Sequence, residues 1–338
     1  MKKSAFRAGT LRWRLLLPLI TSALFSAATV AADDSAWRPQ RPVQIIVGVG
    51  PGGSMDRTAR MVSDGLKSAK LVPAASEVVN RPGGGHALAL SYLQSQPADG
   101  ESIQVVNSPF VTNKLLGRSP IDYKKFTPLG LLFSENFLFA VRSDSPIKDG
   151  KDLIARLKKD PASVSFSVSS GLGTLNYAAA MELARAAGAD IHKIKALSFN
   201  SAAEGVTATL GGHVDVVITT VSSVVPFYQA HRMRVLASTT EQRLGGALAE
   251  VPTWREQGVD IVTSGWRIVV GPPRLKPEQV RFWESALQQI TSTPEWRAQL
   301  KQEYIDPGYG DHTAASKAID DSARRLSALY KSLGIIKS

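Results

Sequence analysis

A two-lobed α/β fold, with mixed, mainly parallel sheets and a ligand cleft between the lobes, is predicted by three observations. Short β-branched runs alternate with amphipathic stretches along most of the chain, and strands separated by helices imply βαβ units. A glycine-rich turn leads from strand to helix twice, about 120 residues apart; in such folds ligands gather where helices begin at the carboxyl ends of strands. Each turn heads its own run of alternating elements.

Residues 43–47 (VQIIV) read as a buried strand that runs into Gly48-Val49-Gly50-Pro51-Gly52-Gly53-Ser54-Met55-Asp56. Met55, Ala59, Val62, Leu66 and Ala69 then fall at spacings of 4, 3, 4 and 3, one face of a helix. A strand at 77–80 is followed by Arg81-Pro82-Gly83-Gly84-Gly85 and a helix over 86–96. A strand at 103–106 ends at Asn107-Ser108-Pro109, and one at 138–141 precedes a helix over 151–159. The strand at 164–168 ends in Ser169-Ser170-Gly171-Leu172-Gly173-Thr174, before a helix over 175–187. Strands at 194–199, 214–218 and 235–238, with a helix over 202–210 stopped by Gly211-Gly212, continue the alternation. From Pro277, well placed at a first helical position, the chain is helical, and 314–333 closes it.

Ahead of all this, Lys2, Lys3, Arg7, Arg12 and Arg14 precede an apolar stretch at 15–25 and small residues at 26–32. That order is a secretory signal peptide, cleaved after about Ala32, and it places the chain in the periplasm. Its apolar core of about 11 residues is short of the ~20 that a spanning helix needs. Removing 1–32 takes five of the 40 basic residues and no acidic one, so 35 basic face 29 acidic residues and the mature charge is +6 rather than +11. The positive charge is scattered without interleaved aromatics, which argues against nucleic acid as a partner. The chain has no cysteine, which excludes thiolate metal sites, cysteine nucleophiles and disulfides.

No catalytic set emerges. His86, His192, His213, His231 and His312 lack metal-type spacing, G-x-S-x-G is absent, and neither a metal nor a cofactor is expected. Binding chemistry is better represented. Glycines before a helix N-terminus offer backbone N–H groups to an anion. The first such loop supplies Gly52, Gly53, Ser54 and Met55; the second supplies Ser170, Gly171, Gly173 and Thr174. Asn107, Ser108, Asn200, Ser201, Thr220 and Ser222 add neutral polar groups at other strand ends. Each alone is explained by capping or turn chemistry; together they suggest a lined site. Residues 48–53 also match G-x-G-x-x-G, so an exported nucleotide-dependent oxidoreductase is the competing reading. It needs an acidic residue about 20 positions on to hold a ribose hydroxyl, and Glu77 sits at the start of its strand rather than the end. A purely structural turn is the third reading. Trp266 is assigned to core packing, and Arg267 to the rim of the cleft or beyond it, so amides and hydroxyls are expected to carry recognition.

Several motifs, in order, resemble the substrate-binding proteins of tripartite tricarboxylate transporters. They are Arg41-Pro42-Val43 with Pro51 to Asp56, Asn80 to Gly85, Asp144-Ser145-Pro146 with Lys151-Asp152-Leu153, Ala208 to Asp215, Arg234 to Ala237 and Val251 to Gly258. The resemblance runs from about Arg38 to Leu333. It implies a type II periplasmic binding protein, two α/β lobes joined by crossing strands and closing on ligand. One lobe would comprise 33–137 and 259–338, the other 138–258. The resemblance also implies delivery of a small carboxylate to a permease of two integral subunits, and 144–258 tilts the ligand toward citrate-like tricarboxylates; a monomer is expected. Many members carry a proline–aromatic pair where this chain has Gly48-Val49, which removes any ring contact from that loop.

Overall fold

Period-2 burial in the strands fixes the architecture. On β1 (Gln44–Val47), Ile45 and Val47 enter one core while Ile46 enters another. The computed structural model describes residues 37–73, 76–169, 173–305 and 307–337; the signal peptide read at 1–32, and Ser170 and Gly171, lie outside the described residues. After β1 come α1 (Ser54–Ser68), β2 (Glu77–Asn80), α2 (Ala87–Ser95), β3 (Ser102–Val106), α3 (Pro109–Leu115) and the long strand β4 (Thr127–Arg142). Then follow α4 (Gly150–Lys159), β5 (Ser165–Ser169), α5 (Leu175–Ala186), β6 (Lys195–Phe199), α6 (Ala202–Leu210), β7 (Val216–Thr220), α7 (Val221–Gln229) and β8 (Met233–Ser238). The chain ends with β9 (Ser264–Gly271), α8 (Pro277–Thr291), α9 (Pro294–Gln302), β10 (Pro307–Gly310) and α10 (His312–Ser332).

The strand order is β2-β1-β3-β9-β4-β7-β5-β6, with β8 and β10 also pairing β4. The flanks are parallel, as the βαβ alternation predicts: β1 lies between β2 and β3, and β5 between β6 and β7. The middle is antiparallel. β9 pairs β3 and β4, and β4 pairs β7, β8 and β10 in opposite directions. Parallel neighbours arise where a helix carries the chain back; β4 and β9 instead run through the middle of the sheet. Thr127 to Asn136 of β4 pair β9, whereas Phe137 onward pairs β7 and β8.

The sequence reading caught only 138–141 of β4. Its first half carries Pro128 and Gly130, breakers that here mark register shifts between Pro128 and Gly130 and between Leu131 and Phe133. A Cβ at Gly130 would stand 3.1 Å from Leu287 of α8, so the missing side chain lets that helix pack closely. Four cores result. β1, β3 and β9 pack α1, α8 and α9 on one face, and α2, α3 and the first turns of α10 on the other. β5 and β7 pack α5 on one face and α6 and α7 on the other. Helix α10 serves two cores: Ala315, Ile319 and Ala323 pack beside β3 and β9, and Leu326 and Tyr330 beside β5 and β7. No helix among the described residues is long and apolar enough to cross a membrane.

Directly after β1, a Cβ at Gly48 would meet His86 Cγ at 2.6 Å and His86 Cα at 2.9 Å. His86 itself is buried in the left-handed region, at φ 75°, with neither ring nitrogen hydrogen-bonded. Burial, assisted by the nearby positive charge of Arg267, pushes its imidazole down to about 3. Gly48→Ala must therefore displace backbone. It is expected to cost about 1–3 kcal/mol by overpacking, read by chemical denaturation; an unchanged midpoint would show that the loop yields freely. The unfolded chain protonates this histidine near 6.5 and the folded chain does not until about 3. Stability held by the neutral ring is thus complete above about 6.5 and lost as pH falls through that window. Between pH 7 and 4 the wild type should lose more stability than His86→Leu, and equal losses would rule this out.

Candidate functional site

The carboxyl ends of β1, β3, β5 and β7 converge on one cavity, closed from behind by β4 and β9. Its lining comprises Gly53, Ser54 and Met55 from the start of α1, Asn107 and Ser108 after β3, and Thr174, Leu175 and Asn176 at the start of α5. Thr220 ends β7 on the same wall, with Val49, Ser169 and Ala202 alongside. Glu135, Phe137, Gly265 and Arg267 come from β4 and β9. About 470 Å³ of space lies within and at the mouth of this cavity, but the centre of a water molecule reaches only about 30 Å³ of it. That suffices for a few waters and not for a polycarboxylic acid, so a ligand enters only if the walls separate.

Local sequence explains each wall. Helix α1 has Gly53 at its N-cap, without a capping side chain. Thr174 caps α5, its Oγ1 accepting from Tyr177 N at 3.3 Å, and Ser201 caps α6, its Oγ accepting from Glu204 N at 3.2 Å. Contacts already join the first and second halves of the chain across the cavity. Ser108 Oγ accepts from Leu175 N at 3.3 Å, Asn200 O accepts from Gly50 N at 3.4 Å, and Arg57 Nη2 donates to Ser222 Oγ at 3.0 Å. Asn107 Oδ1 is buried without a hydrogen bond.

The predicted residues divide into three groups. Gly53, Ser54, Met55, Asn107, Ser108, Thr174 and Thr220 line the cavity; Ser170 and Gly171 lie outside the described residues. Gly52, Gly173, Asn200, Ser201 and Ser222 stand behind the lining and have other duties. Gly52, at φ 84°, donates its N–H to Asp56 Oδ2 at 3.0 Å. Gly173, at φ 109°, leaves room for Leu116, whose Cδ1 an added Cβ would strike. Ser222 holds Arg57 and shares a hydrogen bond with Thr220 at 3.3 Å.

Arg267 requires a correction. The sequence reading placed it at the rim or beyond; it is 3 % exposed and lines the cavity, ion-paired with Glu135, which is 2 % exposed. Strand register accounts for this. Phe133 stands opposite Arg267 and Glu135 opposite Gly265, so Glu135 and Arg267 are diagonal neighbours on one sheet face, within reach of long side chains. Trp266 points the other way, into the core with Ile268. Arg267 Nη2 also donates to Ser54 Oγ at 2.9 Å, tying the ion pair to the start of α1. Burial pushes the Glu135 carboxyl upward while Arg267 pulls it back. A glutamate inside the apolar run LLFSENFLF and an arginine beside IVV were the available signals, since buried charges are rarely left unpaired.

The first loop is poorly suited to a pyrophosphate. Asp56 occupies the Gly52 amide and is held below the ordinary carboxylate range; burial opposes this, but hydrogen bonds from Arg60, Gly52 N and Asn80 outweigh it. A fixed negative charge thus stands where a dinucleotide site needs free N–H groups. Strand β2 ends at Asn80-Arg81, without the acid that would bind a ribose. Among the described residues no cluster of three His, Asp or Glu could hold a metal ion.

Comparison with known proteins agrees with this architecture. Residues 58–335 match the family described as the tripartite tricarboxylate transporter family receptor. The chain is 27% identical over 321 residues to the UPF0065 protein in the gbd 5′ region of Cupriavidus necator, covering 94% of this chain and 95% of that one. It is 28% identical over 289 residues to a UPF0065 protein of Bordetella bronchiseptica, covering 85% and 82%. Among solved structures, the periplasmic binding protein BugD superposes with a TM-score of 0.81 at 21% identity, over 89% of this chain and all (100%) of that one. MatC from Rhodopseudomonas palustris, solved with bound malate, gives 0.78 at 20% identity over 86% and 99%, and an R. palustris protein solved with adipate gives 0.81 at 24% over 88% and 98%. With the match spanning most of its length, the chain belongs to the tripartite tricarboxylate transporter receptor family.

Proposed function

We propose that this chain is a periplasmic solute receptor that captures a small carboxylate in the strand-end cavity and delivers it to a membrane permease of two integral subunits. One observation carries the reading: the start of α1, which has no capping side chain, together with neutral hydroxyls and a buried guanidinium lines one narrow space. Gly53, Ser54, Asn107, Ser108 and Thr220 are the proposed ligand contacts, with Arg267 supplying the fixed positive charge. The exported, monomeric protein would begin after Ala32. Its lobes would be 33–137 with 259–338, and 138–258, hinged where β4 and β9 pass between them. The malate and adipate complexes of family-like folds support a carboxylate of this size, and a citrate-like tricarboxylate is the most highly charged candidate.

A thermal-shift screen over mono-, di- and tricarboxylates tests this directly. Binding to the native state stabilises it by RT ln(1 + [L]/Kd), about 2.7 kcal/mol at a hundredfold excess over Kd. At least one carboxylate should raise the transition and nicotinamide cofactors should not; a response to cofactors alone would favour the oxidoreductase reading. Among variants, Arg267→Gln removes one partner of a buried pair and should cost about 3–5 kcal/mol of stability. Measured below its lowered transition, its Kd should rise at least about tenfold, the equivalent of 1.4 kcal/mol. Unchanged affinity would return recognition to amides and hydroxyls alone.

Since the described cavity is too small for such a ligand, the free protein must sample a wider form and close by hinge bending. Small-angle scattering should give a smaller radius of gyration with saturating ligand than without. Identical profiles would count against closure in solution.

A further inference from the structure

Glu135 has no place in a simple anion trap. A receptor that only had to attract carboxylates would gain nothing from a buried carboxylate in its own cavity wall, yet Glu135 lines the space and is 2 % exposed. Its Oε2 accepts no hydrogen bond, and on its partner Arg267 the Nε donates none. The buried pair therefore keeps one acceptor and one donor unfilled. The space beside the carboxylate is also kept open: the residue opposite Glu135 in the β4–β9 register is Gly265, and a Cβ there would stand 3.8 Å from Glu135 Cγ and 2.9 Å from Phe137 Cζ. The two charges sum to zero. A ligand carrying two or three negative charges would bring uncompensated charge into a space from which water is mostly excluded, at a cost that a net-neutral ligand avoids.

Resting on the receptor reading above, we infer that Glu135 is a specificity-determining residue that accepts a hydrogen bond from a protonated nitrogen of the ligand, so that the cavity selects amino-substituted carboxylates over the same carbon skeleton without nitrogen. The ligand's carboxylate faces the start of α1 and Arg267, and its ammonium faces Glu135. Ligand and wall then carry opposite charges in mirrored order, and both unfilled positions of the pair are met.

The test is isothermal titration of the full mature chain with matched pairs that differ only by an ammonium group: propionate and alanine, succinate and aspartate, glutarate and glutamate. In at least one pair the amino member should bind at least about tenfold tighter. Glu135→Gln should erase that difference while the nitrogen-free member binds as well as, or better than, to the wild type. Should that variant fail to fold because Arg267 is left unpaired, Glu135→Asp keeps the charge and should preserve the preference with reduced size. Nitrogen-free members binding equally or tighter in every pair would overturn the inference and leave the receptor reading standing. So would a Glu135→Gln variant that weakens both members of each pair alike, since the glutamate would then only position Arg267. Binding by no carboxylate of either kind would overturn the receptor reading as well.

Discussion

Strand β4 is the constraint on which the rest of the molecule depends. Its 16 residues pair β9 and β10 in the first half and β7 and β8 in the second, so the two parallel flanks are fixed to one continuous backbone. Side chains two apart share a face, and Phe133, Glu135 and Phe137 therefore follow one line. Phe133 is buried with β1, β3 and α1, Phe137 is buried with β5 and α5, and Glu135 between them meets the cavity. A single strand face passes from one core, across the site, into the other. On β9, Gly265 and Arg267 line the cavity and Val269, next on the same face, enters the core that holds Phe133. The polar interruption of two apolar strand faces is what makes the site.

That placement has an electrostatic consequence. In every other described ion pair at least one partner is solvated; Arg41 with Asp99 and Arg255 with Asp260 are exposed examples, and such surface pairs contribute little. Glu135 and Arg267 have almost no water to fall back on. A buried pair is weak evidence for stability, because desolvation offsets most of its attraction. Its retention at the cavity wall is better explained by what it offers to a ligand. Ser54, which accepts from Arg267, begins the helix whose first residues line the same space, so charge and helix start act as one surface.

Much of the fold was legible because it rests on period and punctuation. The helices α4, α5 and α6 and the strands β2, β3, β5 and β6 follow from apolar spacing and from the glycine or capping residue at their ends. The elements that escaped have physical reasons. Pro128 and Gly130 disguise the first half of β4, which is bulged there. Helix α7 has Pro226 inside it, and α3 is only seven residues long. For the site, the strand-end polar residues could be named, but not sorted. Ser54, Asn107 and Thr220 reach the cavity while Ser201 and Ser222 stand behind it; all five look alike as small polar residues beside a strand end. Arg267 was misplaced because exposure of a strand arginine depends on register, which is a property of the pairing rather than of the strand.

The glycine-rich loop shows how one sequence pattern can serve opposite ends. With free amides it would be a phosphate cradle. Here Asp56 sits four residues on from Gly52 and takes its N–H, Arg60 neutralises Asp56 from the next turn, and Asn80 at the end of β2 braces it. The loop thereby commits the Gly52 amide to its own architecture, while the next two residues, Gly53 and Ser54, line the cavity. A helix N-terminus attracts negative charge from whatever source is nearest, and an internal carboxylate at one side of the turn limits the anion that can settle at the other. The same logic holds at the far wall, where Glu135 stands beside Arg267. There the carboxylate tempers the positive potential of Arg267 within the cavity wall itself, which suits a receptor that must release its ligand as well as hold it.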